Sequence, residues 1–144
     1  MHPFYREIEL FKPVSDYFIS QGYTIRREVR IGYCRADLIA CKQNEVIAVE
    51  LKLRDRKKAI VQALNYQIGA DYVYLAFPLQ HSLTVLRKAE HQLKKQGIGL
   101  LVVNEKTVEV TELIPAQYSK KKFISLTTQE IDRKRKNRKS KYKL

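Results

Sequence analysis

The chain has 144 residues, 44% of them hydrophobic and 30% charged, with five Gly, four Pro and two Cys. That composition suits one globular domain with a single modest core, and it excludes collagen-like, disulfide-framework and wholly disordered chains. Twenty-eight Lys and Arg against 15 Asp and Glu give a formal charge of +13, which points to a polyanionic partner, nucleic acid before a membrane surface. The excess is uneven: residues 119–144 hold 11 basic and 2 acidic residues, a charge of +9, whereas residues 1–118 carry only +4. Two parts are therefore expected, a body over 1–118 and a basic, flexible C-terminal tail over 119–144. No apolar run approaches a membrane span, the first residues do not read as a signal peptide, and no Cys/His spacing suits zinc. A cytoplasmic protein without a membrane partner is the expectation.

In chain order, residues 4–21 carry an amphipathic helical pattern in Ile8, Phe11, Val14, Ser15 and Phe18, stopped at Gln21-Gly22. Pro13 leaves two readings open: a kinked helix, or a helix that starts late with Pro13 in its first turn. The placing of Glu7 depends on which holds. From Tyr23 the period changes to two, giving a strand over 23–31 whose apolar face is broken by Arg27. Gly32-Tyr33 turns the chain into a strand over 35–41, and Gln43-Asn44 turns it again into an apolar strand over 45–52. Asp55 caps a helix over 56–68 that ends at Gly69. A buried strand over 71–78, a helix over 82–96 ended by Gly97, and strands over 98–103 and 106–112 complete the body. The order is α-β-β-β-α-β-α-β-β, with the fourth strand expected parallel to the third. This is an α/β (α+β) fold with a mixed central sheet flanked by helices.

Three residues of the meander carry chemistry. Asp37 and Glu50 lie on sequential strands joined by a tight turn, and Glu50 and Lys52 share a sheet face by the period of two. Two carboxylates beside a core strand repel each other and are costly to desolvate, and a hard divalent cation removes that cost. Oxygen ligands of this kind suit Mg2+ or Mn2+. Such a cation lowers the pKa of a bound water and polarises a phosphoryl oxygen, while a neighbouring lysine stabilises developing charge. The chemistry described is phosphodiester hydrolysis. Arg54, Arg56, Lys57 and Lys58 follow the site at once and suit a phosphate backbone. In the tail, Thr127-x-x-Glu130 is a capping-box pattern. Arg133, Lys134, Arg135, Lys136, Arg138 and Lys139 lack an apolar stripe and read as a nucleic-acid-binding segment, disordered alone. His2, His81 and His91 have no convergent partners and are expected in solvent. Cys34, Cys41, Tyr72 and Tyr74 read as packing residues.

Asp, twelve intervening residues and Glu-x-Lys across a meander that follows a helix resemble the PD-(D/E)XK nuclease superfamily. Glu7-Ile8-Glu9-Leu10 resembles the helix-borne glutamate of archaeal Holliday junction resolvases, and Gln62-Ala63-Leu64-Asn65-Tyr66 the Gln-x-x-x-Tyr element of RecB-like nucleases. The run Glu9-Leu10-Phe11-Lys12-Pro13-Val14, the Gln21-Gly22-Tyr23 stop and the strand over 71–78 resemble bacterial PD-(D/E)XK-type phosphodiesterases. The likeness covers residues 5–112, and Ala36 stands where the motif's proline would. It implies a restriction-endonuclease-like αβββαβ core. It also implies that Asp37, Glu50, Glu7 and the Leu51 carbonyl are metal ligands and Lys52 the catalytic lysine. Gln62 would fix the lysine or substrate, with Tyr66 facing the same nucleic-acid side. The expected activity is metal-dependent cleavage of nucleic acid, DNA before RNA, with a homodimer suited to cutting two strands. The alternative is a non-catalytic nucleic-acid-binding module on the same fold, associated with RNA or a larger complex.

Overall fold

A computed structural model describes residues 4–124, 126 and 130–133. A 3-10 turn over Glu7–Leu10 leads into helix α1 (Phe11–Ile19). Strands β1 (Thr24–Ile31), β2 (Cys34–Lys42) and β3 (Glu45–Leu51) follow as a meander. Then come α2 (Arg56–Tyr66), β4 (Tyr72–Pro78), α3 (Leu79–Gln96), β5 (Gly99–Val103) and β6 (Val110–Ile114). The six strands form one mixed sheet in the order β1-β2-β3-β4-β5-β6, with β3, β4 and β5 parallel and the remaining pairs antiparallel. The parallel β3–β4 and β4–β5 pairs need long crossovers, and α2 and α3 supply them.

Two apolar layers hold the sheet. On one face Ala59, Ile60, Ala63 and Tyr66 of α2 and Val85, Ala89 and Leu93 of α3 pack on Ile39, Ala48, Val73, Leu75 and Leu100. On the other, Leu10, Val14 and Phe18 pack on Leu38, Ala40, Ile47, Val49 and Leu51. Side chains of this size each contribute roughly 1.5–3 kcal/mol when buried, so each helix is fixed mainly by the face it covers. The parallel strands β4 and β5 are buried almost throughout, as strands covered on both faces must be.

The structure resolves the Pro13 alternatives. The α-helix starts at Phe11, so Pro13 lies in its first turn, where a backbone N–H has no helical partner to lose. Ahead of it Glu9 accepts from the backbone N–H of Arg6 at 3.1 Å and of Tyr5 at 3.3 Å. Glu9 is thereby committed to capping, while Glu7 remains available to the site. Helix α3 begins at Leu79 rather than Ser82, because the Ser82 hydroxyl donates back to the Pro78 carbonyl at 2.9 Å inside the first turn. The last strand lies over Val110–Ile114, later than the 106–112 expected, since Lys106 and Thr107 turn around Asn104.

Beyond residue 118 the described chain stays on the body. The backbone N–H groups of Phe123 and Ile124 both donate to the Ile68 carbonyl at 3.0 Å. Leu126 and Ile131 are buried in the α2–α3 layer, Ile131 to 0% exposure. Asp132 accepts two bonds from the Arg26 guanidinium, at 2.6 and 3.1 Å. Among the described residues, no helix is long and apolar enough to cross a membrane.

Candidate active site

The β2–β3 register pairs Leu38 with Val49, and one step further opposes Asp37 to Glu50. In β3, Val46 and Ala48 face α2, while Ile47, Val49 and Leu51 face α1. Glu50 therefore turns toward α2, where it is 2% exposed. There the Tyr66 hydroxyl lies 2.7 Å from Glu50 Oε1 and 2.7 Å from the Arg35 carbonyl. Asp37 Oδ2 accepts the Leu51 N–H at 2.9 Å. Each carboxyl is thus held through one oxygen.

Asp37 sits where β1 and β2 change facing. Arg27 and Leu38 are paired, with Leu38 packed in the α1 layer and Arg27 stacked 4.3 Å over the Phe11 ring. Val29 and Ala36, also paired, lie instead in the α2 layer. Between these pairs Glu28 takes φ +51°, and the ladder is interrupted at Glu28 and Asp37. A non-glycine residue in the left-handed region is strained, and here the strain reverses the pleat beside the carboxylates.

Electrostatics follow from this burial. Glu50 is pushed up to about 7, first by burial and then by the adjoining Asp37 charge, against the opposing pull of Tyr66 and Lys52. Asp37 is raised, chiefly by burial, although the Leu51 N–H and Lys52 favour its ionised form. The Tyr66 hydroxyl has one proton and two acceptors at 2.7 Å. That proton serves one acceptor at a time, and its donation to Glu50 favours the ionised carboxyl, against the burial that raises it.

Lys52 Nζ lies 3.7 Å from Glu50 Oε2 and 3.9 Å from Glu7 Oε2. Glu7, Asp37 and Leu51 line a cavity of about 140 Å³ together with Ile8, Phe11, Arg27 and Glu28. Glu7 thus meets Lys52 and this cavity, without forming a three-carboxylate cluster. Among the described residues, no group of three or more His, Cys, Asp or Glu side chains is arranged to hold a metal ion. The donor set still fits a hard cation: two opposed carboxylates on adjoining strands, Glu50 buried and Asp37 half-buried. Backbone carbonyl and water oxygens would complete the shell, as is usual for magnesium.

The remaining expected residues divide. Gln62 is half-buried, and its Oε1 is buried without a hydrogen-bond partner among the described residues, so no bond to Lys52 forms. Tyr66, expected to face nucleic acid, is 0% exposed and holds Glu50 instead. Arg54, Lys57 and Lys58 are exposed and Arg56 half-buried at the start of α2, where Asp55 caps the Lys58 N–H at 3.2 Å. His81, expected in solvent, is half-buried with its ring centroid 5.2 Å from that of Phe77. Its pKa is lowered by burial and then by Arg54 and Arg56. Arg133 is exposed and pairs with Glu130. Thr127, Lys134, Arg135, Lys136, Arg138 and Lys139 lie outside the described residues. Sequence reasoning missed Glu28 and Arg27 as cavity residues. The only signal was Arg27 on an otherwise apolar face, and it gave no hint that the pleat reverses there.

The chain matches no family model and no curated protein.

Proposed function

We propose that the protein is a divalent-metal-dependent nuclease of PD-(D/E)XK type, hydrolysing phosphodiester bonds in nucleic acid, DNA before RNA. The observation that carries this reading is the opposed pair of half-buried Asp37 and buried Glu50, with Lys52 Nζ 3.7 Å from Glu50 Oε2. Fold stability does not require two acids and a lysine at one strand end, because burying them costs more than an apolar substitute would. The meander between α1 and α2, continued by β4, supports reading the architecture as the restriction-endonuclease-like core.

Asp37, Glu50 and the Leu51 carbonyl would hold Mg2+ or Mn2+, with Glu7 reaching it through water. Bound there, the ion supplies a water of lowered pKa and polarises a phosphoryl oxygen. The chain's own groups do the rest. Tyr66 and the Leu51 N–H fix the two carboxyls so that they need no reorientation. Lys52, 13% exposed, brings a positive charge to the mouth of the site, where it stabilises charge developing on the phosphate.

The test is cleavage of labelled single-stranded, duplex and branched DNA by purified protein with Mg2+ or Mn2+, against an EDTA control. Cleavage should require the metal, and Lys52→Ala should lower it about 100-fold or more while leaving DNA binding intact. Binding without cleavage of any substrate by the wild type would replace this reading with a non-catalytic nucleic-acid-binding module.

A further inference from the structure

The β1–β2 hairpin tip has no part in the chemistry above, yet it is built with care. Arg30 and Arg35 are direct cross-strand partners, both exposed, and neither forms an ion pair with a carboxylate of the described residues. Like charges placed directly opposite are destabilising, so stability alone does not account for them. Val29, Ile31, Cys34 and Ala36 of the same hairpin pack toward α2. Alternation therefore turns Arg30 and Arg35 to the other side, the side of the Glu7–Asp37 cavity. Arg35 is also tied to the site through its backbone, since one hydroxyl, that of Tyr66, joins its carbonyl to Glu50.

At the tip itself Tyr33 is 91% exposed. A lone exposed tyrosine would need no explanation. This one has its backbone tied to α2: Asn65 donates to the Ile31 carbonyl at 2.6 Å and accepts the Tyr33 N–H at 3.2 Å. Arg30 Nε donates to the Gly32 carbonyl at 3.2 Å. Gly32 has φ +61°, and a Cβ there would lie 2.5 Å from Asn65 Oδ1. The turn is thus clamped to α2 with its aromatic ring left free. Preorganisation of this kind lowers the cost of binding.

Resting on the nuclease reading, we propose that Tyr33, Arg30 and Arg35 form the binding track for an unpaired nucleic-acid strand leading to Asp37 and Glu50. The arginines take consecutive phosphates, and Tyr33 stacks a base. Bases inside a duplex are already stacked on both faces, so a protruding ring finds a π-surface only on an unpaired or terminal base. Asp37 lies four residues from Tyr33 along the chain, roughly 13 Å at the strand rise, which keeps the stacked base outside the catalytic carboxylates.

Fluorescence anisotropy in EDTA, with a labelled single strand and a blunt duplex of equal length, separates this from the catalytic reading. Tyr33→Ala should weaken single-strand binding roughly 5- to 150-fold, the range for one stacked base, and leave duplex binding unchanged. Tyr33→Trp should retain the affinity. The double variant Arg30→Gln, Arg35→Gln should lower the salt slope for the single strand by about 1.4. Tyr33→Ala binding single strands like the wild type, or losing both substrates alike, would overturn the track. If the wild type meanwhile cleaves DNA with Mg2+, the nuclease reading survives that failure. A wild type that binds neither strand form would also overturn the track, while the nuclease reading stands or falls on cleavage with Mg2+.

Discussion

In the metal-free protein, raising the pH from 5 to 8 should weaken the fold through Glu50. Its carboxyl has an ordinary value of 4.5 and lies at about 7 in the folded chain. Below 4.5 the acid is protonated in both states, and its stabilising contribution is fully present. Between 4.5 and 7 the unfolded chain loses the proton and the folded chain keeps it, so stability falls as the pH rises. Above 7 both forms are ionised and the loss is complete. The gap of about 2.5 pH units corresponds to about 3 kcal/mol. Asp37, also raised, acts in the same direction. Urea denaturation in EDTA at several pH values, on the wild type and on Glu50→Gln, isolates the effect. Glutamine keeps the size and the donor of the protonated acid, so the variant should overtake the wild type by about 3 kcal/mol at pH 8 and match it near pH 4.5. Parallel pH curves for the two proteins would refute the account of Glu50. Excess Mg2+ at pH 8 should restore stability to the wild type more than to the variant, by mass action on the site.

Tyr66→Phe removes the hydroxyl that serves both Glu50 and the Arg35 carbonyl, leaving buried polar groups unpaired. A loss of about 1–3 kcal/mol in denaturant unfolding is expected. The alkaline rise of the cleavage-versus-pH profile should also move to higher pH, because Tyr66 favours the ionised form of Glu50. The C-terminal stretch divides into two tests. Truncation after residue 118 removes the buried Leu126 and Ile131 and the Arg26–Asp132 pair, so the melting temperature should fall, with about 2 kcal/mol lost for each apolar side chain. Truncation after residue 133 leaves those contacts in place. It should flatten the salt dependence of duplex binding, by about 0.9 in slope for each phosphate released. An unchanged slope would remove residues 134–144 from the interface.

The sequence by itself determined the order of elements and the nearness of the two acids. The two-residue turn at Gln43-Asn44 fixes the hairpin register, pairing Lys42 with Glu45 and each step beyond in turn. Asp37 and Glu50 then face each other with no further information, and Lys52 follows by parity. Those signals are local, carried by neighbours in the chain. The tertiary structure decided what local patterns cannot carry. Tyr66 reads as a partner of nucleic acid from its spacing to Gln62, yet the way α2 packs across the sheet buries it against Glu50. Glu28 reads as one solvent-facing residue in an alternating strand, yet its left-handed φ reverses the facing of the hairpin and sends Arg30 and Arg35 to the site's side. Leu126 and Ile131 sit in a basic stretch with no apolar stripe, and only contact with Gly69 and the α2–α3 layer gives them somewhere to bury. Period and spacing record which face a residue prefers. Which surface meets that face, and where strain is tolerated to change it, is settled only when distant elements pack.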